Sequence, residues 1–436
     1  MEKQRCYFVI DMKSFFASVE CAERGLDAMT TKLIVADNSR TETTICLAVT
    51  PALKKLGVKN RCRLYEIPKN LDYIVAVPRM KKYIEYASKI YEIYLKYIDK
   101  SDIHVYSIDE CILDVTDYLK LYKTRAKPFA QKLMSEINDT LKIPSTCGIG
   151  SNMYLAKIAL DLTAKHSPDR IGWLDEQKFL DTLWQHKPLT DFWGIAQGIS
   201  QRLAKYNITC MKDIATINPE ILYKEFGINA ELIIDHAWGR ETCLMSDIKN
   251  YKGKSKSISN SQILACNYNV TDGKIVFYEM IQEACYRLMK DNYIASNLVL
   301  YIGYGDEKRS IDKGSIKFSI ASNLFSQIIP YAEKLFDEIV DAKTPIRRIG
   351  ISFGGLLEDK FTQLDLFTDQ SKLLKEKNLV KCILDIKDKF GKNIMLKGID
   401  FFEKATQRER NEQIGGHRSG ENENAKNKSS CAVCTI

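Results

Sequence analysis

Three carboxylates in this chain are spaced so that they could act together: Asp11, Asp109 and Glu110. Asp11 ends the apolar run Cys6-Tyr7-Phe8-Val9-Ile10, which has the composition of a buried strand. Asp109 and Glu110 separate two strand-like runs, Ile103 to Ile108 and Cys111 to Val115, and form the acidic tip of a predicted hairpin. When these strands are neighbours in one sheet, three carboxylates meet at one edge, and like charges held close resist joint ionisation. Hard divalent cations with oxygen ligands relieve that repulsion, Mg²⁺ keeping waters and phosphate oxygens as further ligands. Two such ions about 4 Å apart stabilise the attacking and leaving oxygens of an in-line phosphoryl displacement. Taken singly, Asp11 is a turn or helix-cap residue and Asp109-Glu110 a solvated tip; their joint occurrence in this order points to metal chemistry.

The elements that must position these groups can be followed along the chain. Ser14 is placed to cap a helix through Phe15, Phe16, Val19 and Ala22. Short strands are predicted at Lys32 to Ala36 and Thr44 to Val49, then a short helix from Pro51 to Leu56 stopped by Gly57. Tyr and Ile at helical spacing predict a long amphipathic helix from Met80 to Ile98. A helix from Lys127 to Leu141, a strand from Thr146 to Gly150 and a helix from Asn152 to Lys165 complete an α/β layer. After Pro168 the pattern is helical with short loops to Arg240. Strands near Ser259–Leu264, Ser296–Tyr301, Lys317–Ile320 and Ile346–Phe353 predict a second α/β unit. Beyond Lys404 the polar sequence predicts disorder.

Composition bounds the class without naming the chemistry. With 436 residues, 45% hydrophobic and 28% charged, the chain is long enough for two to four domains with real cores. No stretch of eighteen uncharged apolar residues occurs, and the N-terminal residues lack the pattern of a signal peptide. Thirteen scattered cysteines, most inside apolar runs, predict reduced thiols and a cytoplasmic protein. The lone Cys431-x-x-Cys434 pair lacks the second pair of a metal site. A net charge of +8 favours an anionic partner.

The segments around the three acids carry a family resemblance. Ile10-Asp11-Met12-Lys13-Ser14-Phe15-Phe16-Ala17-Ser18-Val19-Glu20 and Tyr106-Ser107-Ile108-Asp109-Glu110 resemble the two catalytic motifs of the Y-family DNA polymerases. Cys147-Gly148-Ile149-Gly150-Ser151-Asn152, with Leu155-Ala156-Lys157-Ile158-Ala159, resembles the third shared block. The resemblance spans residues 5 to 370 and is greatest to the UmuC branch, the UvrX-type proteins of Gram-positive bacteria above all. It implies an α/β (α+β) right-hand fold with a ferredoxin-like palm, small fingers, a helical thumb and a βαββαβ little finger. The expected division is palm 1–25 and 77–168, fingers 26–76, and thumb 169–241 with a helix-hairpin-helix. A linker 242–256, little finger 257–360, clamp-binding peptide and C-terminal helices 361–403, and disordered tail 404–436 follow.

The function so implied is low-fidelity, template-directed DNA synthesis across lesions, in DNA repair and damage tolerance. By the resemblance, Asp11, Asp109, Glu110 and the Met12 carbonyl hold two Mg²⁺ ions, with Mn²⁺ as a substitute. The Phe15-Phe16 pair faces the deoxynucleoside triphosphate; helical alternation assigns Phe15 to the core and Phe16 to the gate that excludes a 2′-hydroxyl. Lys157 and Lys54 match positions that contact the triphosphate, whereas Pro51 replaces a tyrosine common in the DinB branch. Gly194 and Gly198 resemble hairpin glycines that let backbone N–H groups approach phosphates of primer-template DNA, and Lys252, Lys254 and Lys256 lie in the tether. Gln363-Leu364-Asp365-Leu366-Phe367 resembles the peptide that binds the sliding clamp, the β subunit of DNA polymerase III, through Gln363, Leu364, Leu366 and Phe367. UmuD-like or recombinase accessory proteins are further candidate partners in this branch.

Two other classes use some of these features. A nucleotide cyclase shares the acidic cluster but has no need of hairpin, tether and clamp peptide. A clamp- and DNA-binding protein without catalysis has no reason to carry three carboxylates facing DNA.

Overall fold

The computed structural model describes residues 5–39, 41–253, 256–306, 311–360 and 369–420. It divides into two compact units, residues 1–251 with the segment from Arg418 on, and Lys252–His417.

The first unit is organised by one strand, β1 (Tyr7–Met12), which is covered on both faces. Successive side chains of a strand point to opposite faces. Phe8 and Ile10 accordingly join a core with Phe129, Leu133 and Ile137. Tyr7 and Val9 pack on the other side with Ile112, Met153, Ala156 and Leu160. Asp11 follows on the face of Tyr7 and Val9. The next elements are α1 (Phe15–Glu23), β2 (Leu33–Val35), β3 (Ala48–Val49), α2 (Pro51–Lys55), β4 (Ile74–Ala76) and α3 (Met80–Leu95). They lead to β5 (Ile103–Val105), β6 (Glu110–Asp114), α4 (Thr116–Leu121), α5 (Ala126–Leu141), β7 (Ser145–Gly150), α6 (Met153–Ile158) and β8 (Ile171–Leu174).

Five strands form the main sheet in the order β5-β6-β1-β7-β8. β1 is antiparallel to β6 and β7, and β8 joins β7 in parallel. Strands β3-β2-β4 form a separate small sheet, with Ile34, Val49, Leu53 and Ile67 in its core. The predicted strand from Thr44 shortens to Ala48–Val49, Ile45 making only a bridge to Arg63. Gly57, at φ +89°, stops α2 as expected.

Three boundaries differ from the sequence-based division. β8 belongs to the main sheet, so the helical region starts after Leu174; its four residues, two of them Gly172 and Trp173, are too few for a periodicity signal. That region comprises α7 (Glu176–Thr182), α8 (Gln197–Ala204), α9 (Met211–Thr216), α10 (Pro219–Phe226) and α11 (Asn229–Ala237), around Phe179, Leu203, Met211, Leu222 and Ile233. The expected linker 242–256 begins as a packed helix, α12 (Met245–Asn250), whose Met245 is buried beside Tyr7 and Ile112.

The second unit is the expected βαββαβ array: β9 (Ile258–Tyr268), α13 (Val270–Lys290), β10 (Tyr293–Tyr304), β11 (Asp312–Ser322), α14 (Phe325–Ile339) and β12 (Ile346–Gly354). Its sheet order is β11-β10-β12-β9. Leu298, Leu300, Ile302, Ile349, Ile351 and Phe353 face Val276, Phe277, Met280 and Phe336 of the helices. α15 (Gln370–Phe390) and α16 (Gln407–Asn411) follow.

The third difference concerns the tail. Residues 404–420 are ordered rather than disordered. The backbone N–H groups of Thr406 and Gln407 donate to the Glu279 carboxylate at 2.9 and 3.1 Å, and Arg410 donates to Asn260 at 2.9 Å. In the first unit, Arg418 donates to Asp37 at 2.9 Å, and the Ser419 carbonyl accepts from the Lys81 N–H at 2.9 Å. These anchors are polar, which is why hydrophobic composition gave no sign of them.

Candidate active site

The register of the central strands brings the acids together. Asp11 is paired with Glu110 across β1 and β6, and the Met12 N–H donates to the Asp109 carbonyl at 2.9 Å. Directly paired residues share a face of the sheet, so Asp11 and Glu110 point to the side that carries α6. Burial, reinforced by the charges of Asp109 and Glu110, pushes the Asp11 carboxyl up to about 7. Met12 is buried.

Lys157 occupies the space beside this edge. Its ammonium donates to Glu110 Oε2 at 2.8 Å and lies 3.2 Å from Asp161 Oδ2. Burial works to lower the Lys157 pKa, but the hydrogen bond and charge of Glu110, with Asp161, outweigh it and hold the lysine protonated. The Ser107 hydroxyl donates to Asp109 Oδ1 at 2.7 Å.

Among the described residues no three Asp, Glu, His or Cys side chains are drawn into a cage for a metal ion. The geometry explains why: Glu110 is turned to Lys157, and Asp109 is engaged by Ser107. The donor set nevertheless suits a hard divalent cation. All the groups are oxygens, Asp11 resists ionising beside its neighbours, and Glu110 Oε1 is buried with no hydrogen-bond partner.

α1 sets the aromatic pair. Phe15 is 2% exposed inside the core, so its expected contact with the nucleotide does not hold; the adjacent position on the helix keeps Phe16 partly open. Phe16 stacks on Tyr83 with ring centroids 4.5 Å apart and planes 22° apart. The Tyr83 hydroxyl donates to Glu20 Oε1 at 2.8 Å, and Arg79 grips the same carboxylate at 3.0 and 2.9 Å. A salt bridge to the buried Glu20 carboxylate therefore braces the ring on which Phe16 lies. Ser14 stands at the start of α1 without capping it. Its hydroxyl instead accepts from Lys54 at 2.9 Å, which draws the exposed Lys54 toward the acidic edge.

Sequence reasoning missed several cations here. Burial and the neighbouring charges of Arg170 and Lys55 hold the Lys13 ammonium below its ordinary value. Lys165 donates to Asp161 Oδ1 at 2.7 Å. Lys13 directly follows the Asp11-Met12 pair and could have been noticed from that position; Lys165 carries no such signal.

The remaining candidates are dispersed. Gly194 adopts φ +90° in the turn before α8, whereas Gly198 sits in the first turn of α8 itself and not in the hairpin loop. Lys252 is exposed, Lys256 donates to the Tyr293 hydroxyl, and Lys254 lies outside the described residues. Gln363, Leu364, Leu366 and Phe367 of the expected clamp peptide, and Cys431 and Cys434, also lie outside them. Among the described residues all cysteines are free. The second unit adds an unanticipated face. On the side of its sheet away from the helices, β11 and β12 expose Lys313, Ser315, Lys317 and Arg348.

Comparison with known proteins accounts for these features together. The impB/mucB/samB family model matches residues 10–161, and the model of that family's C-terminal domain matches residues 255–366. The two matches cover more than half of the chain between them. The putative UV-damage repair protein UvrX of Bacillus subtilis is 29% identical over 414 residues, covering 94% of this chain and 97% of the relative. DNA polymerase IV 2 of the same organism is 28% identical over 422 residues, covering 96% and 100%. DNA polymerase IV of Clostridium acetobutylicum is 25% identical over 400 residues, covering 90% and 97%. A solved Y-family DNA polymerase chimera shares the fold, with a TM-score of 0.63 and 24% identity, over 81% of this chain and 99% of that one. No helix among the described residues is long and apolar enough to cross a membrane. On these matches, the chain belongs to the impB/mucB/samB family, the UmuC/DinB-like Y-family of DNA polymerases.

Proposed function

We propose that this chain is a template-directed DNA polymerase that extends primers across damaged template positions, with catalysis centred on Asp11, Asp109 and Glu110. The observation that carries this reading is the strand register that aligns Asp11 with Glu110 and sets Asp109 beside Met12, on the sheet edge next to α1. In the proposed reaction the primer 3′-hydroxyl oxygen bonds to the α-phosphorus of a deoxynucleoside triphosphate, and pyrophosphate leaves.

Asp11, Asp109, Glu110 and the Met12 carbonyl would hold two Mg²⁺ ions, or Mn²⁺ in their place. When bound, these ions supply neutralisation of charge on the attacking and leaving oxygens. The protein's own groups do the rest. Phe16, stacked on Tyr83, would lie under the sugar and exclude a 2′-hydroxyl. Lys54 and Lys157 offer positive charge to the triphosphate, with Lys13 adding to the local field.

Lys313, Lys317 and Arg348 on the open face of the second unit would supply sequence-independent grip on primer-template DNA. Lys252, Lys254, Lys256 and the turn at Gly194 are further candidates for phosphate contact. Gln363, Leu364, Leu366 and Phe367 would tether the polymerase to the sliding clamp, raising its local concentration at the primer end. UmuD-like or recombinase proteins are candidate accessory partners, and the proposed setting is the cytoplasm.

Primer extension with Mg²⁺ on undamaged and abasic-site templates tests the reading. Short-patch extension on both, opposite the abasic site included, supports it. DNA binding without extension on either template, with clamp and candidate partners present, contradicts it in favour of a non-catalytic binder.

A further inference from the structure

α6 does not continue as a regular helix. From Ala159 to Thr163 the backbone takes a π-helical turn, the widened turn that recurs at functional sites. The turn lies close against the sheet beneath it. Gly148 of β7 and Gly172 of β8 are register partners, and both are covered by this turn. A Cβ on Gly148 would meet the Ala156 carbonyl oxygen at 2.1 Å and the Leu160 nitrogen at 2.3 Å. One on Gly172 would meet the Ala159 carbonyl oxygen at 2.4 Å and the Ala164 nitrogen at 2.7 Å. Backbone therefore rests on backbone, and a side chain at either glycine would push the turn away from the sheet.

The side chain presented by this seated turn is Asp161, and its two oxygens are divided between two lysines. Oδ2 lies 3.2 Å from Lys157 Nζ, and Oδ1 lies 2.7 Å from Lys165 Nζ. With Glu110 the four residues form an alternating row of charges, Glu110, Lys157, Asp161, Lys165. Lys157 thus has two anionic partners. Only Glu110 belongs to the acidic edge: its Oε2 holds Lys157 and its Oε1 is buried without a partner, so a cation drawing on this carboxylate weakens its hold on the lysine.

We propose that Asp161 is a positioning residue of the nucleotide site: it retains Lys157 beside the acidic edge once Glu110 is given up to a cation, leaving the ammonium free to meet the polyphosphate. This rests on the polymerase reading above and deepens it. Asp161 touches neither substrate nor cation in this account. Without its charge, Lys157 has Glu110 as its one strong partner, so the lysine competes with the cation for that carboxylate and is held back from the nucleotide.

The test compares Asp161→Asn, Asp161→Glu and Lys157→Met in the full-length chain. Steady-state incorporation gives KM and kcat for the nucleotide, and electron paramagnetic resonance gives Mn²⁺ binding without turnover. Losing one charge-assisted hydrogen bond is worth on the order of a tenfold change. Asp161→Asn is expected to raise the nucleotide KM about tenfold with kcat nearly unchanged and to weaken Mn²⁺ binding about as much, and Asp161→Glu to restore most of both. Unchanged KM and Mn²⁺ binding in Asp161→Asn, while Lys157→Met raises KM, overturns the role of Asp161 alone. If Lys157→Met also leaves KM unchanged, the nucleotide-site reading itself fails. Should Asp161→Asn not fold, the double variant Lys157→Met/Asp161→Asn carries no buried lysine and replaces it. Its KM must equal that of Lys157→Met, and a further rise overturns the proposal.

Discussion

Asp11 and Glu110 stand directly opposite each other in the antiparallel pairing of β1 and β6. This rung lies where the buried part of the sheet ends, since Tyr7 and Val9 precede Asp11 on the same face and are fully covered. Two carboxylates at such a rung are a cost to folding unless something positive answers them. Lys157 answers one side, and the orphaned Glu110 Oε1 marks the other. This rung is where the proposed cation site would lie.

The Glu20 carboxylate is the structural counterpart of this site. Burial works to raise its pKa, but hydrogen bonds from Arg79, Arg24 and Tyr83 outweigh burial and hold it below the ordinary value of 4.5. A group depressed in the folded state contributes stability above its unfolded pKa, and that contribution is lost as pH falls through the folded value. Glu20→Gln should therefore lower stability by about 3 kcal/mol near neutral pH. The deficit should shrink below pH 4.5, where wild type loses the same interaction. Denaturant melts at several pH values measure both.

Phe16 lies flat on Tyr83 and is the residue whose size should decide sugar selection. Phe16→Ala is expected to raise ribonucleotide incorporation relative to deoxynucleotide by about 10- to 200-fold, the range that a fitted contact commands in a pocket. Competition between the two nucleotides in primer extension reads this ratio. Phe15→Leu, a core change, should leave the ratio unaltered while lowering stability by about 1 kcal/mol.

How much of this was legible in sequence varies with the kind of interaction. The β1 run, the hairpin, α3, α5 and the four strands of the second unit follow from apolar runs and periodicity, because their apolar side chains are buried on regular faces, whereas the βαββαβ order came from the resemblance. The acidic edge was legible through order and spacing of Asp11, Asp109 and Glu110. Asp161 was not, because its role depends on a π turn seated on Gly148 and Gly172, strands apart in sequence. Glu20 was visible as part of a motif, yet its partners Arg79 and Tyr83 lie some sixty residues away, as the 59- and 63-residue separations attest. The ordered segment 404–420 escaped notice because polar contacts such as Glu279 with Thr406 leave no mark on composition.

The open sheet face of the second unit carries Lys313, Lys317 and Arg348 with serines between them. Each phosphate contact contributes close to one to the slope of log affinity against log salt. Lys313→Ala/Lys317→Ala/Arg348→Ala should therefore flatten that slope by about 2 to 3. The loss should be alike for unrelated DNA sequences. Fluorescence anisotropy across a salt series measures both.

The most direct test of the central claim is single-turnover nucleotide incorporation by wild type and by Asp109→Ala/Glu110→Ala, with binding of primer-template DNA measured alongside. The expected outcome is a fall in incorporation of about a thousandfold or more in the variant, with DNA affinity retained. Incorporation at the wild-type rate by a folded, DNA-binding double variant would show that the chemistry does not reside at this acidic edge.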